Sequence, residues 1–256
     1  MIEKERHVLI MEQLRSDGFV SVKDLMGRLN ASRSSIMRDL IALEEAGLLV
    51  REHGGAALPE VREMLSRKKE PAVLLREHVN ADQKAMIAEA AAQLVRSGMC
   101  IFVDSGSTTA SLIPYLRDLD ITIVTASVYL LRQISDDMAC RVYLTGGQYD
   151  AKYDMMMGEY AVQMLENYRF DLAFMSASAV DLKQGEVMVA DFGLASMKKQ
   201  AMKRSAKIVL LADSTKLSQA APCTYASVTA FDAVYINSNG KQKFPKNFIT
   251  VEEKKR

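Results

Sequence analysis

The stretch Ser32-Arg33-Ser34-Ser35-Ile36-Met37-Arg38-Asp39-Leu40, continued by Leu43, Gly47, Leu49, Arg51 and His53-Gly54-Gly55-Ala56, decides how the rest of the chain is read. Ile36, Leu40 and Leu43 recur at helical spacing and make one apolar face, whereas Arg33 and Arg38 fall on other faces. Such a helix packs one side against a core and presents the other to a groove of duplex DNA. Ser32 is suited to accept from the free N–H groups at the helix start, and Gly47 to the left-handed residue that follows a helix end, which predicts a helix running to about Ala46. Leu48 to Ala57 then predicts a two-stranded wing with Glu52-His53-Gly54-Gly55 at its tip.

Two shorter helices are expected upstream. Val8, Leu9, Met11 and Leu14 give Lys4 to Arg15 a mainly helical pattern that Asp17-Gly18 ends. Ser21-Val22-Lys23-Asp24 is a Ser-x-x-Asp helix start, Leu25 and Leu29 supply its buried face, and Asn30-Ala31 makes the turn into the third helix. The expected DNA contacts are therefore Ser32, Arg33, Ser34, Ser35, Met37 and Arg38 on the third helix, with Arg51, His53 and Gly54 on the wing. A winged helix that binds protein, or a helical hairpin with solvated arginines, fits the same pattern. Residues 1–60 hold ten acidic and eight basic side chains, so phosphate affinity has to come from local placement of Arg28, Arg33, Arg38, Arg51 and His53.

Composition bounds the remaining possibilities. At 256 residues, 49% of them hydrophobic, the chain can bury a large core as one large domain or as a small and a medium one, and two domains are expected. No apolar run approaches a membrane span and the first residues are charged rather than signal-like, so the expected location is cytoplasmic and no membrane is expected as a partner. Three cysteines, Cys100, Cys140 and Cys223, lie far apart without Cys-x-x-Cys spacing, which argues against a disulfide framework and a zinc site; no metal or cofactor is expected.

Residues 58–80 have linker character. Pro59 and Pro71 bracket Arg62-Glu63 and Arg67-Lys68-Lys69-Glu70, a basic run that is either solvated or a flanking-phosphate arm. Beyond it, residues 81–256 read as an α/β domain with a mainly parallel sheet. Asp82 to Arg96 is an alanine-rich helix, and Met99 to Val103 a continuous apolar strand suited to burial on both faces. Further strand-like runs are Ile121–Val124, Arg141–Leu144, Leu172–Met175, Ile208–Leu211 and Ala233–Ile236, separated by helical stretches. After the first strand comes Asp104-Ser105-Gly106-Ser107-Thr108-Thr109, leading into a helix expected over Ala110 to Arg117. A small-residue loop between a strand and a helix presents N–H and hydroxyl donors to an anion, which suits a phosphate; the same residues also suit a simple helix-capping turn.

The first stretch resembles the DNA-binding half of bacterial DeoR-type transcriptional regulators. Their pattern has a Thr-Ile-Arg-Arg-Asp-Leu core and a His-Gly-Gly-Ala wing; here stand Ser35-Ile36-Met37-Arg38-Asp39-Leu40 and an intact His53-Gly54-Gly55-Ala56. Met37 replaces the usual arginine, so one contact worth about 1–3 kcal/mol is absent or replaced by apolar contact with a thymine methyl, and operator preference is expected to differ. The strand order and spacing of the second half are similar to the carboxy-terminal sensor of the same family. The resemblance implies a fold like ribose-5-phosphate isomerase and a phosphorylated sugar held by Asp104, Ser105, Gly106, Ser107, Thr108 and Thr109, with Thr125, Gly146, Gly147, Asp213 and Lys216 lining the pocket. It further implies that Lys216 balances ligand charge and that Asp104 accepts from sugar hydroxyls. Departures stand at Ala126, where the family often has asparagine, and at Met155-Met156-Met157, which alter ligand choice or serve as flexible core filler.

An isomerase-like enzyme with a fused DNA-binding domain is the alternative, with Asp104, Asp181, Glu186 and Lys216 as its available acid–base groups; sequence spacing does not show that they converge. His7 and His78 read as isolated surface or core residues. The expected function is a sugar-phosphate-responsive transcription factor acting on double-stranded operator DNA as a homodimer or homotetramer, a repressor rather than an activator and not an enzyme.

Overall fold

The computed structural model describes residues 2–17, 19–52, 55–59, 73, 76, 79–238 and 243–252. His53, Gly54, His78 and most of the expected linker lie outside the described residues. The N-terminal elements are α1 (Glu3–Asp17), β1 (Phe19–Ser21), α2 (Val22–Leu29), α3 (Arg33–Glu45), β2 (Val50–Glu52) and β3 (Gly55–Ala57). The expected caps are in place. Ser21 Oγ accepts from Asp24 N at 3.0 Å, and Ser32 Oγ from Ser35 N at 3.3 Å. Gly47, at φ +71°, closes α3 with Gly47 N donating to Glu44 O and Leu48 N to Leu43 O, a pairing that needs the left-handed residue.

Two expectations change here. The wing is three-stranded, in the order β1-β3-β2, because Phe19-Val20-Ser21 pairs antiparallel with Gly55–Ala57; a three-residue strand set directly against a helix start carries too short an alternation to read. On α1 the buried face is Ile10 and Leu14, whereas Val8 and Leu9 are exposed. Ile10, Leu14, Leu25, Ile36, Leu40, Leu43 and Leu49 form one hydrophobic cluster, with Met37 partly buried against it. Asp39 sits among them, 2% exposed, and its carboxylate accepts from Arg6 Nε at 2.7 Å and Nη2 at 2.9 Å, so a buried charge ties α3 to α1.

In chain order there follow α4 (Ala81–Ala92), β4 (Cys100–Val103), α5 (Ser107–Ala110), β5 (Thr122–Thr125), α6 (Val128–Leu131) and β6 (Arg141–Leu144). Next come β7 (Gln148–Asp150), β8 (Met155–Met157), α7 (Glu159–Leu165), β9 (Leu172–Ser176), β10 (Ala179–Asp181) and β11 (Glu186–Val189). The last are α8 (Phe192–Lys203), β12 (Ile208–Ala212), β13 (Cys223–Ser227), β14 (Ala233–Asn237) and β15 (Phe248–Val251). Seven of these strands form one sheet in the order β15-β14-β12-β9-β4-β5-β6, every neighbouring pair parallel. Strand alternation sends Ile101, Val103, Leu172, Phe174, Val209 and Leu211 to one face and Phe102, Ala173, Met175 and Leu210 to the other. The first face is covered by α4 through Ile87, Ala88 and Ala91, the second by α8 through Leu194, Met197 and Ala201.

The helix expected over Ala110 to Arg117 is instead the short α5 followed by a 3-10 turn over Ile113–Leu116, with Pro114 in its first turn. Proline has no N–H to give an α-helical bond there, and the chain tightens. β15 and the antiparallel pairs β7/β8 and β10/β11/β13 were not foreseen; β10, β11 and β13 form a separate small sheet rather than extend the large one.

Candidate functional site

The chain runs outward from β4 through β5 to β6 and then returns to the other side of β4 as β9. The crevice between the carboxyl ends of β4 and β9 is therefore the switch point of the sheet, where open α/β folds leave room for a ligand. Asp104 directly follows β4 and Ser176 ends β9. Asp104 Oδ2 accepts from Ser176 N at 2.8 Å and Ser176 Oγ at 2.6 Å, and it is also bonded to Lys198 Nζ from α8. Lys198 donates further to Ser176 O and Oγ, both at 3.0 Å, and lies 5.3 Å from the centre of the Tyr225 ring. Burial drives the Asp104 carboxyl upward, but the Lys198 charge and the hydrogen bonds from Lys198 and Ser176 together outweigh it and hold the group below its ordinary value. Burial, reinforced by the Asp104 charge, pushes the Tyr225 phenol well above its usual range, so its hydroxyl stays a neutral donor to Ser176 O at 2.9 Å.

Above this buried pair opens a cavity of about 290 Å³, its open mouth included, among whose lining residues are Arg76, Ser105, Gly106, Tyr153, Ser176 and Lys198. Gly106 has to be glycine here: a Cβ would sit 2.4 Å from Ser176 Cβ.

Of the expected pocket residues, the structure brings Ser105 and Gly106 to the cavity wall. Ser107, Thr108 and Thr109 are buried beside them; the Thr109 hydroxyl donates to Asp104 O and Gly106 O at 2.7 and 2.8 Å and so holds the loop's shape. Thr125 serves the backbone in the same way, donating to Val103 O at 2.6 Å and accepting from Ser127 N at 3.1 Å. Gly146 and Gly147 are exposed; at Gly147, φ +121°, a Cβ would meet Met157 O at 2.4 Å. Asp213 caps a 3-10 turn through Thr215 N and accepts from Asn80 Nδ2 at 3.2 Å, and Lys216 Nζ donates to Gln219 at 3.3 Å. The Asp104 carboxylate, expected to face sugar hydroxyls, is turned onto Lys198 and Ser176. Of the groups named for an isomerase, Asp181 and Glu186 stand opposite each other in the β10/β11 register, Asp181 Oδ1 accepting from Lys183 N and Gln184 N in a turn, and neither lines the cavity.

Lys198, Tyr225, Tyr153 and Arg76 were missed in the sequence. Lys198 had a signal. It stands with Leu194 and Ala201 at i, i+4, i+7 on α8, a cation on an apolar stripe.

On the N-terminal side, Arg33, Ser32 and Ser34 are exposed at the start of α3, and Arg38 is exposed one turn on, its Nε donating to Ser34 O at 3.3 Å. Ser35 and Met37 are half-buried, Met37 against the core rather than toward a groove. Arg51 Nε is paired with Glu44 Oε2 at 2.6 Å. Arg33 Nη2 lies 2.5 Å from Glu159 Oε2 at the start of α7, a contact between the first residue of α3 and the sheet-bearing half. His7 Nε2 lies 3.3 Å from Asp39 Oδ1 rather than alone, and the three cysteines are free, with burial pushing each thiol above its ordinary value. No helix among the described residues is long and apolar enough to cross a membrane.

Two family profiles match this chain: a DeoR-like helix-turn-helix domain over residues 6–62 and a DeoR C terminal sensor domain over residues 79–238. An uncharacterized HTH-type transcriptional regulator, FruR, of Bacillus subtilis is 33% identical across 94% of this chain and 93% of its own length. The glycerol-3-phosphate regulon repressor of Escherichia coli is 26% identical across 93% of this chain and 92% of its own. Among solved structures, a ribose 5-phosphate isomerase from Methanocaldococcus jannaschii is similar over 54% of this chain and 55% of that one, at 22% identity and a TM-score of 0.40.

Proposed function

Because the chain belongs to the DeoR family of transcriptional regulators, we propose that it represses a carbohydrate-utilisation operon and that a phosphorylated sugar in its second half controls operator binding. Residues 1–57 act as the winged helix-turn-helix domain, 58–80 as the linker and 81–256 as the sensor. The protein works in the cytoplasm, as a homodimer or homotetramer whose paired recognition helices meet repeated half-sites of double-stranded DNA. The observation that carries the sensor reading is the cavity at the β4/β9 switch point, whose wall offers the cations Lys198 and Arg76 and the Ser105-Gly106 loop. A relative named as a repressor of a glycerol-3-phosphate regulon supports both the sign of regulation and the phosphorylated ligand. The proposed activity is sensing, not turnover.

In this reading the ligand biases one arrangement of subunits over another, and its effect on DNA equals its differential affinity for the two. The test is a thermal-shift screen with inorganic phosphate alone and with glucose 6-phosphate, fructose 1-phosphate, fructose 6-phosphate, ribose 5-phosphate and glycerol 3-phosphate, each ester beside its unphosphorylated counterpart. A ligand that binds only the folded state raises the melting temperature, so a shift with phosphorylated members alone is expected, and none with any member would defeat the sensor reading. Arg38→Ala is expected to weaken operator binding by about 1–3 kcal/mol while leaving any ligand-induced shift intact; unchanged DNA affinity in a gel-shift titration would mean the recognition face is elsewhere.

A further inference from the structure

The cavity wall has two characters. Ser105, Gly106, Ser176 and Lys198 offer donors and charge, whereas Tyr153, Ala177, Val189 and Leu194 offer carbon. Tyr153 comes from the turn of the β7/β8 hairpin, which stands outside the seven-stranded sheet, and local bonds hold that turn on every side. Asp150 Oδ1 accepts from Lys152 N at 2.9 Å and from Tyr153 N at 3.0 Å, an aspartate turn closed on its own backbone. Asp154, at φ +49°, accepts through its carbonyl from Val128 N and Tyr129 N at the start of α6, at 2.9 and 3.0 Å. Its carboxylate is buried and accepts from the Tyr149 hydroxyl at 2.7 Å and Arg132 Nη2 at 3.2 Å. From the expected linker, Val73 N donates to Lys152 O at 3.4 Å, and Val73 itself is fully buried against Ala110 and Tyr129.

The Tyr153 side chain is thereby delivered to one place. The residue is 7% exposed and packs in the same apolar cluster as Ala177, Val189 and Leu194, the other carbon-bearing residues of the wall. Lys152 Nζ lies 3.3 Å from its hydroxyl and 4.8 Å from the ring centre, which steadies the ring further. An aromatic face is weakly negative, and a sugar closed into a ring lines up C–H groups as a flat, weakly positive face that stacks on it. An open-chain polyol has no such face ready and must give up bond rotations to make one. We propose that Tyr153 selects the carbon skeleton of the ligand, which is a cyclic sugar phosphate with its phosphoryl group toward Ser105, Gly106 and Lys198 and its ring against Tyr153. This rests on the sensor reading above and adds to it the class of sugar and the residue that chooses it. Because the hairpin orders Tyr153 before any ligand arrives, the preference is expressed as affinity rather than spent on ordering the wall.

The experiment uses the full chain, wild type and with Tyr153→Leu or Tyr153→Phe, in calorimetric titrations. The cyclic ester giving the largest thermal shift is compared with its open-chain alditol phosphate, as glucose 6-phosphate with glucitol 6-phosphate or ribose 5-phosphate with ribitol 5-phosphate. Glycerol 3-phosphate serves as the short open chain. The wild type is expected to bind the cyclic ester about tenfold tighter than its alditol, the size of one good aromatic contact. Tyr153→Leu is expected to bring the two within about twofold by weakening the cyclic ester alone, and Tyr153→Phe, which keeps the ring face, to hold the preference. Equal binding of the alditol phosphate by wild type and variants separates this from loss of fold. The assignment of Tyr153 is overturned, with the sensor reading left standing, if the wild type binds an open-chain ester as tightly as the cyclic one or if the preference survives in Tyr153→Leu. Loss of the preference in Tyr153→Phe would trace it to the hydroxyl and overturn the stacking. If no phosphorylated member binds the wild type, the sensor reading fails first and takes this one with it.

Discussion

Lys198→Met removes the partner of a carboxylate that has nowhere else to go. Asp104 and Lys198 are both buried, their side chains 5% and 4% exposed, and breaking such a pair from one side costs about 3–5 kcal/mol because the other charge stays behind. Denaturant unfolding is expected to register a loss of that size, and the double substitution Asp104→Asn with Lys198→Met to recover part of it; a double-variant loss equal to the sum of the two single-variant losses would show that the pair is not coupled. The same pair gives a pH signature. Because Asp104 is held below its ordinary value, the stability it contributes is fully present above the unfolded carboxyl's pKa of about 3.9 and is lost as pH falls from there through the folded value. The melting temperature of Asp104→Asn is therefore expected to fall less between pH 5 and pH 2 than that of the wild type, and parallel profiles would contradict the shift.

At the level of elements, the loop after β4 is shaped by contact as much as by its hydroxyls. Gly106→Ala forces a methyl group onto Ser176, the residue that holds both Asp104 and Lys198, and overpacking of this kind costs about 1–3 kcal/mol. For a chain of this size that lowers melting by roughly 2–4 °C per kcal/mol. The sugar-phosphate-induced shift is expected to vanish with it while operator binding is retained; a normal ligand response would place the pocket elsewhere. The parallel strands were legible because Ile101 to Val103, Leu172 to Met175 and Val209 to Leu211 are apolar without interruption, as burial on two faces demands. The caps at Ser21, Ser32 and Gly47 were legible because each is a local contract between a side chain or a φ angle and a helix end. β1 and the β10/β11/β13 pairs were not, since three to five residues hold too little alternation to register. Nor was the pocket's floor, because Ser176 reaches Asp104, and Tyr225 reaches Ser176, from strands far apart in sequence. Asp39, Lys84 and Lys198 share one overlooked signal: each is a charge standing on the buried stripe of its helix, where it persists only with a partner.

For the whole molecule, the sheet order sets the pocket between β4 and β9, and the linker residues Val73, Arg76 and Asn80 bring the N-terminal half's connection to that same edge. The contact from Arg33 to Glu159 runs between the halves as well, with Arg33 half exposed, and exposed pairs are worth about 0–1 kcal/mol. Glu159→Gln is accordingly expected to tighten DNA binding by no more than about fivefold, measured by fluorescence anisotropy; weaker binding would mean that Glu159 supports the bound form instead. The pair has one more consequence. Each phosphate that a cation neutralises releases ions condensed on the duplex, and the salt slope of affinity deepens by about 0.9 per contact. If Arg33 must first leave a carboxylate, added salt helps that departure even as it opposes the arrival at phosphate. The slope of the wild type is then shallower than that of Glu159→Gln by part of a single contact, and a carboxylate that never touches DNA is visible in how DNA binding answers to salt.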